Sequence, residues 1–181
     1  MVRTIMTTTR AVLRHKAHVV TTFDQQLAKL LDDLAETMYA HCGIGLAATQ
    51  IGIKRRVFVY DVGHGLCEMV NPILLAGEGQ MKSVERCLSV PGLKRTIRRY
   101  ARVRVYALNR FGAPLWVEAK GNLACCLQHE IDHMDGILLM DHEAWRTPHD
   151  THLNWGDLFG RTAHCLYGHD EFFGHHSSCS D

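Results

Sequence analysis

Gln128-His129-Glu130-Ile131-Asp132-His133 is an HExxH sequence, and well upstream of it Cys87 stands in the segment Glu85-Arg86-Cys87-Leu88-Ser89. Residues four apart on a helix share a face, so His129 and His133 can offer their imidazoles to one cation while Glu130 sits beside it. A thiolate from Cys87 would supply a third protein ligand. Two imidazoles and a thiolate leave a fourth tetrahedral position open to water, the arrangement of a catalytic rather than a structural site. The pattern points to metal-assisted hydrolysis, with Glu130 placed to carry a proton between water and the departing group. A third ligand drawn from downstream, His142 or Glu143, would instead make an HExxH metallopeptidase. The spacing alone leaves that choice open.

These side chains need a frame. From Phe23 to His41 the apolar residues Leu27, Leu30, Leu31, Leu34 and Met38 fall on one helical stripe, with Thr22 as the expected N-cap and Asp24 in the first turn. The glycine-rich stretch from Gly43 to Gly52 is too small in its side chains for a solvated loop and implies close backbone approach. Strands are expected at Val57 to Asp61, Met69 to Leu75, Arg102 to Leu108 and Leu115 to Ala119, the last two joined by the hairpin turn Asn109-Arg110-Phe111-Gly112. Arg102-Val103-Arg104-Val105-Tyr106 alternates as a half-buried antiparallel strand does. Asn122 is the expected N-cap of the HExxH helix, and Gly136 is placed to close it. An α+β fold follows, with antiparallel or mixed sheets packed around a central helix carrying HExxH and an N-terminal amphipathic helix against the core.

The chain has 181 residues, a net charge of +1 and 46% hydrophobic residues, which fits one domain with a substantial core and no global attraction to nucleic acid. Seven cysteines, an odd number without a secretory leader, argue for a reducing compartment rather than a disulfide framework. No apolar run approaches the length of a membrane span. Lys94, Arg95, Arg98, Arg99, Arg102, Arg104 and Arg110 form a basic run without an acid, read as a solvated strand face; a ribosome is the partner such a strip would otherwise suit. The first 23 residues, basic and free of acids, faintly resemble an organelle transit segment. From 142 onward stand seven of the thirteen histidines. The expected division is a catalytic domain over 1–144 and a divergent His-rich extension over 145–181.

Three blocks carry a family resemblance: Gly43-Ile44-Gly45-Leu46-Ala47-Ala48-Thr49-Gln50, Glu85-Arg86-Cys87-Leu88-Ser89 and Gln128 to His133. In this order the chain resembles the peptide deformylases from about Arg10 to Asp141. The resemblance implies a hydrolase that removes the N-formyl group from the formylmethionine of nascent polypeptides and releases formate. It implies one divalent metal ion, ferrous iron first with zinc, nickel or cobalt as substitutes, held by Cys87, His129 and His133. It also implies Glu130 as general acid/base, the Gln50 amide and the Leu88 backbone N–H as oxyanion donors, and substrate contacts from Gly43, Ile44 and Gly45. A cytoplasmic or organellar location accompanies that activity. One position departs from the family pattern, because Arg86 stands where glycine is usual. A positive φ there would strain an arginine, and the side chain would narrow the groove or add a charge that selects peptides. Such a change would also suit a deformylase-like metal-binding protein with reduced turnover.

Overall fold

The computed structural model describes residues 1–143; the expected His-rich extension lies outside the described residues. Helix α1 spans Gln25–Ala40 and helix α2 spans Gly121–Met134. The strands are β1 (Gly45–Ala47), β2 (Val57–Tyr60), β3 (Cys67–Glu78), β4 (Met81–Cys87), β5 (Val90–Arg99), β6 (Arg102–Leu108) and β7 (Pro114–Lys120). Five of them form one antiparallel sheet in the order β1-β2-β3-β6-β7, and β4 and β5 form a separate antiparallel hairpin. The fold is the α+β arrangement expected.

Strand β2 shows why both helices are needed. It is buried on both faces: Val57 and Val59 pack with Leu27, Leu31, Leu34 and Met38 of α1, whereas Phe58 and Tyr60 pack with Leu127, Ile131 and Met134 of α2. A strand covered on both sides cannot alternate apolar with polar residues, and Val-Phe-Val-Tyr does not. Along β6 the alternation is kept, with Val103, Val105 and Ala107 buried toward α2 and the arginines outward.

Two expected caps are corrected. The first helix begins later than Phe23, and its N-cap is Asp24, whose Oδ1 accepts from the Leu27 amide at 2.9 Å; Thr22 is left outside. Asn122 lies within the first turn of α2, where Lys120 holds the N-cap position with no side-chain bond. What anchors α2 is Gln128, which accepts from the Tyr100 amide at 3.0 Å and donates to the Tyr100 carbonyl at 3.1 Å. The far end closes as expected. Gly136 has φ +75°, its amide reaches the His133 carbonyl at 3.3 Å, and the Ile137 amide reaches that of Asp132 at 2.9 Å, the paired bonds of a Schellman cap. A Cβ at Gly136 would lie 2.6 Å from the Arg14 carbonyl oxygen. No helix among the described residues is long and apolar enough to cross a membrane.

The β4–β5 hairpin is the element absent from the expectations. Its strands hold Lys82, Arg86, Lys94, Arg95, Arg98 and Arg99 with few large apolar residues, so neither β-propensity nor an apolar stripe marks them. They alternate nonetheless: in β4, Ser83, Glu85 and Cys87 are buried and Lys82, Val84 and Arg86 are exposed. Cys87 pairs with Val90 across a two-residue turn, and the register then shifts so that Arg86 pairs with Lys94. Pro91, Gly92 and Leu93 bulge between, with Gly92 at φ +79°.

Candidate metal centre

Three elements converge on one point. The hairpin brings Cys87 inward at the end of β4, and α2 presents His129 and His133 one turn apart, with ring centroids 4.9 Å from each other. One donor atom from each of the three lies within 4.8 Å of the others, and Cys87 Sγ is 3.1 Å from His133 Nε2. Metal–sulfur bonds of ~2.3 Å and metal–nitrogen bonds of ~2.0 Å place tetrahedral donors roughly 3.5 Å apart, so the triad needs only small adjustments to hold one cation. His133 is 1% exposed and its Nδ1 has no hydrogen-bond partner; Glu130 is 3% exposed and its Oε2 has none either. Buried polar atoms without partners are costly; solvent carried by a cation would supply the partner that Glu130 Oε2 lacks, while Nε2 of His133, the ring nitrogen facing Cys87 Sγ, is the one placed to ligate. The residues fit a metal ion. His142, the downstream ligand of the alternative reading, points elsewhere: its Nε2 lies 2.7 Å from Asp132 Oδ2, and Glu143 is exposed.

The triad is held by a chain of charges that begins at His129. Its Nδ1 lies 2.8 Å from Glu85 Oε2, which fixes the tautomer and leaves Nε2 for a metal. Arg99 clamps both oxygens of Glu85, Nε at 2.8 Å and Nη2 at 2.9 Å, and reaches Asp132 Oδ2 with Nη1 at 2.6 Å. Arg99 is 5% exposed. The reading of the basic run as a solvated face therefore fails at this residue, because the Ile97 and Arg99 side of β5 faces α2. Others of that run are also engaged: Arg95 donates to the Met140 carbonyl at 3.0 Å, Arg104 to Glu118 at 2.6 Å and Arg110 to Glu68 and Asp32.

Burial alone would raise the Glu85 carboxyl, but the Arg99 guanidinium and His129 outweigh it and hold it well below the usual range. Burial would lower His129; its bonds to the Cys87 sulfur and Glu85 overcome this and raise it to about 10. The proton held there is the one a cation would displace. Burial, followed by the charge on His129, pushes His133 well down, so its ring is neutral and ready to ligate. Burial raises the Glu130 carboxyl to about 7, a value suited to both accepting and returning a proton near neutrality.

The second wall comes from the glycine-rich stretch. Gln50 Oε1 accepts from the Ala47 amide at 2.8 Å, which orients the other end of the side-chain amide: Nε2 donates to Ser89 Oγ at 3.2 Å and faces Cys87 Sγ at 3.6 Å. Gly45 lies against the acid. A Cβ built on it would stand 2.4 Å from Glu130 Oε1 and 2.9 Å from Cδ, so this glycine is the close approach its stretch implied. Gly43 is similarly tight, with Leu88 Cδ1 3.1 Å from a built Cβ. A cleft of about 1070 Å³ opens between the walls, lined by Gly43, Ile44, Gly45 and Gln50 on one side and Arg86, Cys87 and Leu88 on the other, with His129 and Glu130 at its floor. Arg86 lies in β4 without a positive φ; among the described residues the non-glycine ones with positive φ are Cys42 and Asn71, so the backbone strain considered for Arg86 is absent. Ser89 and Arg99 are the site-supporting residues that motif reading missed. For Arg99 the period-two pattern of its hairpin strand is the available signal; Ser89 lies in the turn between the strands, where no period marks it.

Two imidazoles and a thiolate with a buried carboxylic acid beside them, at the floor of an α+β cleft, define a metallohydrolase type of centre. The chain belongs to the polypeptide deformylase family, whose family model matches residues 2–148. It is 51% identical over 130 residues to the peptide deformylase of Acetivibrio thermocellus, covering 72% of this chain and 76% of that protein. To that of Pelotomaculum thermopropionicum it is 49% identical, covering 72% and 84%. Among solved structures, the peptide deformylase from Legionella pneumophila superposes with a TM-score of 0.77 at 42% identity, covering 80% of this chain and 87% of that one.

Proposed function

We propose that this chain removes the N-formyl group from formylmethionine at the start of nascent polypeptides, with Cys87, His129 and His133 as the ligands of one divalent ion. Ferrous iron is the first candidate, since a donor set of one thiolate and two imidazoles accepts it and the family resemblance implies it; zinc, nickel or cobalt would suit the same donors. When bound, the ion supplies Lewis acidity to water and to the formyl carbonyl. The chain's own residues do the rest. Glu130, with Oε2 unpartnered and Oε1 seated against Gly45, takes the proton of the attacking water and returns it to the amine nitrogen as the C–N bond breaks. The products are formate and a free N-terminus. The Gln50 amide N–H, oriented by Ala47, and the Leu88 backbone N–H stabilise the oxyanion that develops on the formyl oxygen; each such donor is worth about 100- to 1000-fold in rate. Gly43, Ile44 and Gly45 present backbone to the substrate, and the tightness at Gly43 and Gly45 leaves room for a formyl hydrogen where a larger acyl group would collide.

The observation that carries this reading is the Cys87–His129–His133 triad, with Cys87 and His133 buried and His129 half-buried, and Glu130 beside it. Residues 1–144 are proposed as the catalytic domain and 145–181 as an extension to it. The compartment of action is one where synthesis starts with formylmethionine, the cytoplasm or an organelle, beside the ribosome that delivers the substrate. Formate release from formyl-Met-Ala-Ser, measured with metal content by elemental analysis on the wild-type chain and on Cys87→Ser, tests the assignment. Wild type should release formate and hold close to one ion per chain, and Cys87→Ser should lose the ion. A wild-type chain that holds metal and releases no formate overturns it.

A further inference from the structure

Arg86 and Lys94 stand directly opposite each other across the β4–β5 hairpin, and both line the cleft. Neither side chain makes a hydrogen bond or an ion pair among the described residues. Like charges facing each other across a hairpin are destabilising, and among the described residues no carboxylate pairs with either side chain to offset that cost. The other charged groups of the cleft are committed. Glu85 is clamped by Arg99 and His129, and Asp61 accepts from Tyr39 Oη at 2.8 Å and from the amides of Gly63 and Gly65 at 2.8 and 3.1 Å. Glu130 is buried against Gly45. What the cleft offers an incoming ligand on its hairpin wall is therefore two cations without a counter-ion. Arg86 is the residue next to Cys87, and β4 has a free backbone edge because its sheet holds two strands. A chain lying extended beside that edge advances ~3.3 Å per residue, which carries the first few side chains beyond the reacting end past this pair.

We propose that Arg86 and Lys94 form a cationic rim that makes the enzyme select nascent peptides with an acidic side chain shortly after the formylmethionine. The proposal rests on the deformylase reading and deepens it from a reaction to a substrate class. Exposed charge pairs are individually weak, so each unit of substrate charge changes kcat/KM by about two- to fivefold. The effect fades with salt, because the screening length falls to ~3 Å at 1 M.

The test is kcat/KM for formate release by the metal-loaded full chain on formyl-Met-Ala-Glu, formyl-Met-Ala-Gln and formyl-Met-Ala-Lys, at low ionic strength and at high salt. The expected order is Glu above Gln above Lys, about threefold per step, compressed by salt and lost in the double variant Arg86→Gln, Lys94→Gln. Equal kcat/KM for the three peptides overturns the rim, as does a preference that survives undiminished in the double variant. Absence of formate from every peptide sinks the deformylase reading instead. Equilibrium binding of Met-Ala-Glu against Met-Ala-Lys then reads the rim alone, tighter binding of the acidic peptide supporting it and equal binding overturning it.

Discussion

Replacing Gly45 by alanine should separate catalysis from folding. The added Cβ would stand 2.4 Å from Glu130 Oε1 and 3.1 Å from its Cγ, whereas ordinary contact begins near 3.4 Å; the carboxyl must retreat by 3.4 − 2.4 = 1.0 Å. Gly45 has no positive φ, so alanine fits the backbone and stiffens the unfolded chain, a gain of about 0.4–1 kcal/mol that offsets much of the cost of moving a terminal carboxyl. Stability should change by less than about 1 kcal/mol. A displacement of that size at the proton-transferring group costs on the order of 100-fold in rate, or about 2.7 kcal/mol of barrier. Formate release by Gly45→Ala should therefore fall about 100-fold while metal content and the urea unfolding midpoint stay close to those of the wild type. A variant within about threefold of wild-type kcat would show that the Gly45 approach does not set the position of Glu130. A variant that lost its metal or unfolded would refute the claim that only the acid moves.

Three further outcomes follow from the charges and from the separate hairpin. Arg99→Ala strands Glu85 and Asp132 without their buried partner and should cost about 3–5 kcal/mol by urea denaturation; Arg99→Lys should recover part of that stability yet still weaken metal retention about 10-fold in a chelator competition, because a single ammonium cannot clamp both oxygens of Glu85. The Met1 ammonium, with Arg3 and Lys29, holds the buried Asp33 carboxyl well below its usual range. Its contribution is complete above the unfolded value near 4 and declines as pH falls toward the folded one, so Asp33→Asn should be about 2 kcal/mol less stable at pH 7, with the gap closing below about pH 4 in thermal unfolding. Chelation should raise amide exchange in the hairpin over 81–99 more than in β2, since one ligand stands on the hairpin and two on α2; equal increases in both would count against a bridging ion.

What could be read from the sequence divides according to the distance over which each feature is specified. His129, Glu130 and His133 were legible because helical period alone places them together, and the stripe from Leu27 to Met38 was legible for the same reason. The sheet strands whose faces pack on a helix declared themselves through valines and aromatics. Caps were ambiguous because Thr22 and Asp24, like Asn122, all have side chains that can accept at a helix start; the choice between them is made by where the chain enters the helix. Arg99 and Gly45 lie at the other extreme. An arginine in a basic run reads as solvated until the hairpin folds over α2 and turns the Ile97 face inward, and a glycine in a small-residue stretch shows that something approaches without naming Glu130. Both hold the proposed chemistry in place: Arg99 fixes the carboxylate that orients His129, the proposed ligand, and Gly45 lies against Glu130, the proposed proton carrier. Local pattern thus specified which atoms could react, while the contacts that hold those atoms in position arise only when the hairpin, α2 and the glycine-rich stretch meet.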